Sequence, residues 1–177
     1  MKTRIIHVNL LLLDANVIID LHTLGLWDQV TKKYSVYVGS IVIHWEAYTY
    51  PDKAGQYQPI DLISQIGNTI QEVSATPQEI SAVKSKFSSA FFDLHEGELE
   101  SMAILLNMEN VVFCTTDEAP IKAIFLLDKI DCLISEESML KKAGLSCNKL
   151  ESKGSEERFK TYIKIGQLMK MLGQGLT

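Results

Sequence analysis

Apolar runs alternate with segments of helical period along the whole chain. Short apolar stretches, typical of strands that are buried on both faces, occupy residues 8–13, 35–38, 69–73, 111–115 and 130–134. Between them, apolar residues recur at the spacing of three and four that marks one face of a helix. This alternation is typical of a parallel sheet covered by helices on both faces. We therefore expect an α/β fold, a three-layer α/β/α sandwich whose central, mostly parallel sheet has about five strands.

Polar and glycine residues mark where the predicted helices begin and end. Thr76 and Pro77, with Glu79 three residues after the threonine, form a capping box that predicts a helix from residue 76 to about residue 92. Residues 51–59 contain two prolines and a glycine, and we expect a loop there. The other predicted helices cover residues 16–30, 41–48, 60–67, 95–107, 119–127 and 135–143.

Length and composition indicate one main domain with a terminal appendage. The chain has 177 residues, of which 46% are hydrophobic, enough for one sizeable core. We assign residues 1–148 to this domain and residues 149–177 to a polar linker followed by a C-terminal amphipathic helix. That last segment holds six basic and three acidic residues, whereas the whole chain has a net charge of −5. An acidic body does not attract nucleic acid through its overall field, so a polyanion would be held locally or through cations.

Cysteine usage and hydropathy predict a soluble protein of a reducing, cytoplasmic compartment. The three cysteines are an odd number without C-x-x-C spacing, which argues against a disulfide framework or a zinc knuckle. The first residues imitate a secretion signal, but their uninterrupted apolar run covers only residues 10–13, and we interpret it as the first strand. No stretch approaches the roughly 20 apolar residues of a membrane span, so we expect no membrane partner.

Four acidic residues follow or flank the predicted strands. Ligands of open parallel sheets bind at the carboxyl ends of the strands. Asp14 ends the first strand, and Glu46 lies in the helix after the second. Glu98 lies in the first turns of the helix that leads into strand 111–115, and Asp117 follows that strand. We therefore expect the four carboxylates to converge on one edge of the sheet.

Convergence of this kind predicts a metal ion. Carboxylates about 4 to 6 Å apart repel by around 3 to 4 kcal/mol per pair at an effective dielectric constant near 20, and a divalent cation removes that penalty. Ligands that offer only oxygen suit Mg²⁺ or Mn²⁺. Such an ion activates water and stabilises phosphoryl oxygens, which is the chemistry of phosphodiester cleavage. In the alternative interpretation, these acids have no functional role: Asp14 and Asp117 are helix caps, and Glu46 and Glu98 are exposed helix positions.

The residues around these acids resemble the motifs of a known family. The stretches LLLDANVIIDL, SIVIHWEAY, GELESMAILL and CTTDEAPIKA look like the motifs of PIN-domain nucleases, the fold of VapC-type toxin ribonucleases. The likeness covers about residues 10–145 in the family's order and spacing. GELESMAILL is most similar to a branch in which the third acid is a glutamate after glycine. An arginine that often follows the last acid in that branch is absent, since Ile121 and Lys122 stand there.

The resemblance implies a set of roles and partners. Asp14, Glu46, Glu98 and Asp117 would bind Mg²⁺ or Mn²⁺ and carry catalysis, with supporting polar groups from Asn16 and Thr115. The substrate would be RNA, and the partners a cognate antitoxin and a second copy in a homodimer. Glu100 competes with Glu98 for the third position, but two residues on a helix are about 200° apart, so only one of them can face the metal.

Two other interpretations compete with the nuclease. Haloacid-dehalogenase-like phosphatases also end their first strand on an aspartate, but in a D-x-D pattern, whereas residue 16 here is asparagine. They would also give Glu46 and Glu98 no role. A PIN-like fold that has lost catalysis serves as a binding module, and the presence of all four acids argues for catalysis.

Overall fold

A parallel sheet of five strands lies at the centre of the fold. The computed structural model describes residues 10–177. Its strands are β1 (Leu10–Leu13), β2 (Ser35–Gly39), β3 (Thr49–Pro51), β4 (Tyr57–Pro59), β5 (Ile70–Val73), β6 (Val111–Cys114) and β7 (Leu133–Ile134). The central sheet has the order β5-β2-β1-β6-β7, and every neighbouring pair in it is parallel. β3 and β4 form a separate antiparallel hairpin.

Helices cover both faces of this sheet, as expected for a three-layer α/β/α sandwich. They are α1 (Ala15–Leu24), α2 (Trp27–Thr31), α3 (Pro77–Lys84), α4 (Glu96–Asn107), α5 (Glu118–Leu126), α6 (Glu136–Lys142) and α7 (Glu156–Met171). A π-helical turn occupies Val42–Glu46, and 3-10 turns occupy Ile63–Gln65, Ile130–Cys132 and Ser152–Gly154.

Successive residues of β1 contribute to opposite sides of the core. Leu11 and Leu13 pack with Val17 and Ile18 of α1, whereas Leu12 packs with Met102 of α4 on the other face. Side chains alternate between the faces of a strand, so a strand that is covered on both faces must be apolar throughout. The unbroken leucine run of the sequence therefore has a structural reason, and the expectation of an α/β/α sandwich is confirmed.

Two of the predicted helices are shorter than expected. The helix predicted at residues 16–30 is interrupted at Gly25, which has φ 69° and ends α1 in the left-handed conformation before α2 begins. The helix predicted from residue 76 to about residue 92 keeps its capping box but ends with α3 at Lys84. Residues 85–95 instead connect α3 to α4.

Three further predicted elements differ in the structure. Residues 51–59, predicted as a loop, contain the turn of the β3–β4 hairpin and all of β4. The helix predicted at 60–67 is a single 3-10 turn. The strand predicted at 130–134 is a 3-10 turn followed by the two residues of β7. The first two residues of the strand predicted at 8–13 lie outside the described residues.

α7 packs against α5 through a small residue. Gly166 lies against the ring of Phe125, and Tyr162 and Met169 of α7 are buried. Leu168 and Leu172, at the end of the same segment, are 55% and 60% exposed, so only part of the apolar surface of this segment contacts the body.

None of the helices within residues 10–177 is both long enough and apolar enough to cross a membrane.

A buried carboxyl group lies at the start of α6. Glu136 is fully buried, and neither of its carboxyl oxygens has a hydrogen-bond partner among residues 10–177. Its Oε2 atom lies so close to Gly154 that an added Cβ there would be 2.5 Å away. Burial and then the nearby Asp20 raise the pKa of Glu136 from 4.5 to about 8, although Lys153, which pairs with Asp20 at 2.9 Å, opposes the rise.

This raised pKa predicts a loss of stability as the pH increases. The unfolded chain releases the Glu136 proton above about pH 4.5, whereas the folded chain keeps it until about pH 8, so the free energy of unfolding falls between these values and stays low above them. We expect Glu136→Gln to become more stable relative to wild type between pH 5 and pH 9, by a few kcal/mol at most. Urea unfolding at both pH values measures this difference.

Glu137→Gln is the matched control on the same helix. Its hydrogen bond and ion pair with Lys141 lower the pKa of Glu137, so this substitution should remove stability that the wild type has at neutral and high pH. If Glu136→Gln instead loses stability relative to wild type from pH 5 to pH 9, Glu136 is ionised and paired in the folded chain.

Candidate functional site

A cleft of about 220 Å³ opens at the carboxyl ends of β1 and β6. The four acids singled out in the sequence contribute to its lining from four separate segments. They are Asp14 after β1, Glu46 in the π-helical turn, Glu98 in α4 and Asp117 before α5. Asn16 also lines the cleft, whereas Thr115 contacts it through a hydrogen bond to Asp14. The structure therefore brings the four acids and both supporting residues together.

Asp14 is the most deeply buried of the four acids. One carboxylate oxygen accepts the N–H of Ala15 at 2.8 Å, and the other accepts the hydroxyl of Thr115 at 2.7 Å. Burial raises the pKa of Asp14 to about 7; the bond from Thr115 lowers it, and the charges of Asp117 and Glu98 raise it further. Two hydrogen bonds are therefore not enough to keep Asp14 fully ionised at neutral pH.

Asp117 is held from a neighbouring helix. The amide of Asn16 in α1 donates to Asp117 Oδ2 at 2.7 Å, and the Asp117 N–H donates to the hydroxyl of Thr115 at 3.2 Å. Asp117 occupies the N-cap position of α5, but its side chain makes no capping hydrogen bond there. A role in helix capping therefore does not account for the side chain of Asp117. It does account for one carboxylate oxygen of Asp14, which accepts the N–H of Ala15.

Glu46 reaches the cleft because of two backbone features. It is the last residue of the π-helical turn, a rare conformation often found at functional sites. Its carboxylate lies against Gly97 at the start of α4, where an added Cβ would be only 2.2 Å from a carboxylate oxygen. Burial raises the pKa of Glu46, and the N–H of Gly97 opposes the rise. A glycine before Glu98 therefore makes room for the second acid.

Glu98 and Glu100 are both buried but contact different parts of the fold. Glu98 lines the cleft and accepts the N–H of His95 at 2.7 Å, while burial raises its pKa. Glu100 is only 2% exposed and does not line the cleft. It accepts the N–H of Ile41 at 2.8 Å and so ties the end of β2 to α4. Glu100 therefore has a structural contact of its own.

The sequence did not indicate every residue of the cleft. His95 and Ile19 also line it. His95 is the residue before α4 and carries no motif of its own, although its helix was expected to begin there. Other polar residues near the motifs have separate partners: His44 pairs with Glu72 at 3.0 Å, and Glu118 pairs with Lys122 at 2.8 Å.

The donor set suits a hard cation that keeps part of its water. Asp117 and Glu98 each keep one carboxylate oxygen without a hydrogen bond within residues 10–177. In the same part of the chain, no three His, Cys, Asp or Glu side chains are close enough to hold one ion together. Mg²⁺ often binds through one or two carboxylates and several waters, so the residues present fit such an ion without a closed cage.

Comparison of the chain with protein-family models, with curated proteins and with solved structures finds no match. The resemblance to PIN-domain nucleases therefore rests on the four motifs.

The close approach of Gly97 to Glu46 gives a test of the site. In Gly97→Ala, the new methyl group should push the Glu46 carboxylate away, and Mn²⁺ affinity should fall. The helix itself should tolerate alanine, which is favoured over glycine by up to about 1 kcal/mol in helices. Isothermal titration with Mn²⁺ and thermal melting measure the two effects.

Gly39→Ala serves as the comparison. Its Cβ would lie 2.7 Å from the Glu100 carboxylate, so it should lower stability without lowering Mn²⁺ affinity. Equal Mn²⁺ affinity in wild type and Gly97→Ala would contradict a role for Glu46 in metal binding.

Proposed function

We propose that this chain is a Mg²⁺- or Mn²⁺-dependent endoribonuclease that hydrolyses RNA phosphodiester bonds. The observation that carries the proposal is the cleft at the carboxyl ends of β1 and β6, which is lined by four carboxylates from four segments, three of them oriented by hydrogen bonds. Burial raises the pKa of Asp14, Glu46 and Glu98 in spite of these contacts, so a cation in the cleft would favour the charged forms.

The charge of the cleft supports a cation as part of the reaction. Lys and Arg are absent from its lining within the described residues. A phosphodiester is an anion, and four carboxylates would repel it unless a cation lay between them. A bound divalent cation polarises the phosphoryl oxygens and lowers the pKa of a coordinated water.

Hydrogen bonds from neighbouring residues orient the carboxylates of the cleft. Asn16 holds Asp117 through Oδ2 and leaves Oδ1 available, and the N–H of His95 does the same for Glu98. Thr115 directs one oxygen of Asp14 and also receives the Asp117 N–H, so it joins two of the acids. In hydrolysis, water adds to phosphorus, the bond to the leaving sugar oxygen breaks, and that oxygen takes up a proton.

The finer parts of the proposal rest on the resemblance to PIN-domain nucleases. It supports RNA as the substrate, a toxin role with a cognate antitoxin, and assembly as a homodimer. Glu98 is our third acid, since it lines the cleft and Glu100 does not.

Paired substitutions on α4 test the proposal. Glu98→Gln preserves size and removes one charge from the cleft, so Mn²⁺-dependent cleavage of RNA should fall by about 100-fold or more, at least as much as the loss of a supporting residue around a metal. Glu100→Gln should leave cleavage nearly unchanged, because its amide oxygen can still accept the Ile41 N–H. Both rates are measured on a fluorogenic single-stranded RNA, with circular dichroism as the check of folding.

Three results would contradict the proposal or part of it. If Glu100→Gln abolishes cleavage and Glu98→Gln does not, the third acid is Glu100. If both variants cleave as wild type does, the cleft is not the active site. If the wild type binds RNA without cleaving it in Mn²⁺, the chain is a binding module.

A further inference from the structure

A second and larger pocket lies at the far end of α1. It has a volume of about 560 Å³ and is lined by residues 22–25 at the end of α1 and by Tyr50, Asp52 and Lys53 of the hairpin. Pockets that hold small organic ligands commonly measure about 300 to 1,000 Å³, so one nucleotide is within its capacity.

One flank of α1 connects this pocket to the acidic cleft. Asn16 and Ile19 line the cleft and Thr23 lines the pocket. At 100° per residue these three side chains lie within an arc of about 60°, and Asn16 and Thr23 are about 10 Å apart along the helix axis. A polynucleotide strand covers that distance in about three nucleotides at the stacked spacing of about 3.4 Å.

A second segment, which includes Glu46 and Tyr50, also runs from the cleft to the pocket. Glu46 of the cleft and Tyr50 of the pocket lie four residues apart on one segment, which enters the hairpin at Tyr48. The Ile60 N–H donates to the Tyr48 carbonyl at 2.8 Å and closes the base of the hairpin. β3 packs beside α1, so the hairpin and α1 flank the pocket, and the segment from Glu46 leads from the cleft to it.

The hairpin places one positively charged side chain, that of Lys53, at the pocket. Asp52 uses its two carboxylate oxygens within the hairpin, accepting the N–H groups of Ala54 and Gln56 at 2.9 Å and the Gln58 amide at 2.8 Å. The exposed Lys53 has no carboxylate within 4.0 Å among residues 10–177. Lys53 is therefore available to a phosphate.

Aromatic rings form the inner side of the pocket. The His22 ring stacks on Trp27 with centroids 4.7 Å apart and lies 5.5 Å from the ring of Tyr50. His22 Nδ1 donates to the Ile18 carbonyl at 2.8 Å, which leaves Nε2 as an acceptor in the neutral ring. Burial lowers the pKa of His22 and so favours this neutral form. An acceptor beside aromatic rings suits the N–H groups and the flat face of an unpaired base.

We propose that this pocket is a nucleotide subsite for a single-stranded polynucleotide whose scissile phosphate lies in the acidic cleft. Lys53 contacts a phosphate, and the His22 edge and Tyr50 contact the base. The inference rests on the proposed nuclease function and adds to it the substrate class, an unpaired strand, and a residue that positions it.

The first experiment compares two exposed lysines in steady-state cleavage of single-stranded RNA with Mn²⁺. Lys53→Gln should raise KM several-fold at unchanged kcat, because it removes a contact made equally before and during the reaction. Lys33→Gln is the matched control, since Lys33 precedes the amino end of β2 and so lies at the opposite edge of the sheet. An RNA duplex of the same sequence should be cleaved with a higher KM than the single strand.

The second experiment needs no cleavage. The chain has two tryptophans, and Trp45 is 74% exposed, so Trp45→Phe should leave Trp27, stacked on His22, as the only source of tryptophan emission. Uridine 5′-monophosphate, which contains no bond for an endonuclease to hydrolyse, should change Trp27 emission in a saturable way. Raising the salt concentration should weaken this binding in wild type, because salt screens the attraction between Lys53 and the phosphate, and should have little effect after Lys53→Gln.

The outcomes separate the two proposals. Unchanged KM in Lys53→Gln together with no saturable Trp27 response overturns the subsite, while Mn²⁺-dependent cleavage by wild type would leave the nuclease standing. Saturable nucleotide binding that Lys53→Gln weakens, in a chain that cleaves no RNA, supports the subsite and overturns the nuclease. Equal KM for duplex and single strand overturns the assignment of an unpaired strand.

Discussion

The burial of the Asp14 carboxylate at the end of the central strand is the constraint on which the site depends. β1 lies between β2 and β6, so a side chain at its carboxyl end is enclosed by the ends of both neighbours. Thr115 and the N–H of Ala15 stabilise the charged form, while burial and the nearby acids oppose it, and the balance sets the pKa of Asp14 at about 7. A cation near Asp14 would favour its charged form and lower its pKa.

Most of the other contacts of the cleft cross between segments distant in the chain. Glu46 depends on Gly97 of α4, Asp117 on Asn16 of α1, and Asp14 on Thr115 after β6. Glu98 is oriented within its own helix by the N–H of His95. The geometry of the acids thus requires the assembled sheet with α1 and α4 packed on it.

The sequence predicted those parts of the molecule that follow from periodicity. Unbroken apolar runs predicted the buried parallel strands. The positions of the acids after or beside those strands predicted that they would lie at the same edge of the sheet. The helix expected after the second strand, which carries Glu46, is only a five-residue π-helical turn, and the hairpin from β3 to β4 was not expected, because elements of five and three residues are too short to show a period. Gly25 ended α1 early for a conformational reason, its positive φ, that the apolar pattern does not contain. The pocket of His22 and Tyr50 was missed for the same reason as the hairpin that forms it.

The most direct test of the account is the binding of Mn²⁺ to the purified chain at pH 6, 7 and 8, measured by electron paramagnetic resonance of the free ion. Metal binding requires ionised carboxylates, and Asp14 holds a proton up to about pH 7. The account predicts millimolar or tighter binding whose affinity rises from pH 6 to pH 8 in wild type, and weak binding with little pH dependence in Asp14→Asn. Absence of Mn²⁺ binding at millimolar concentrations, or equal binding by wild type and Asp14→Asn at all three pH values, would contradict it.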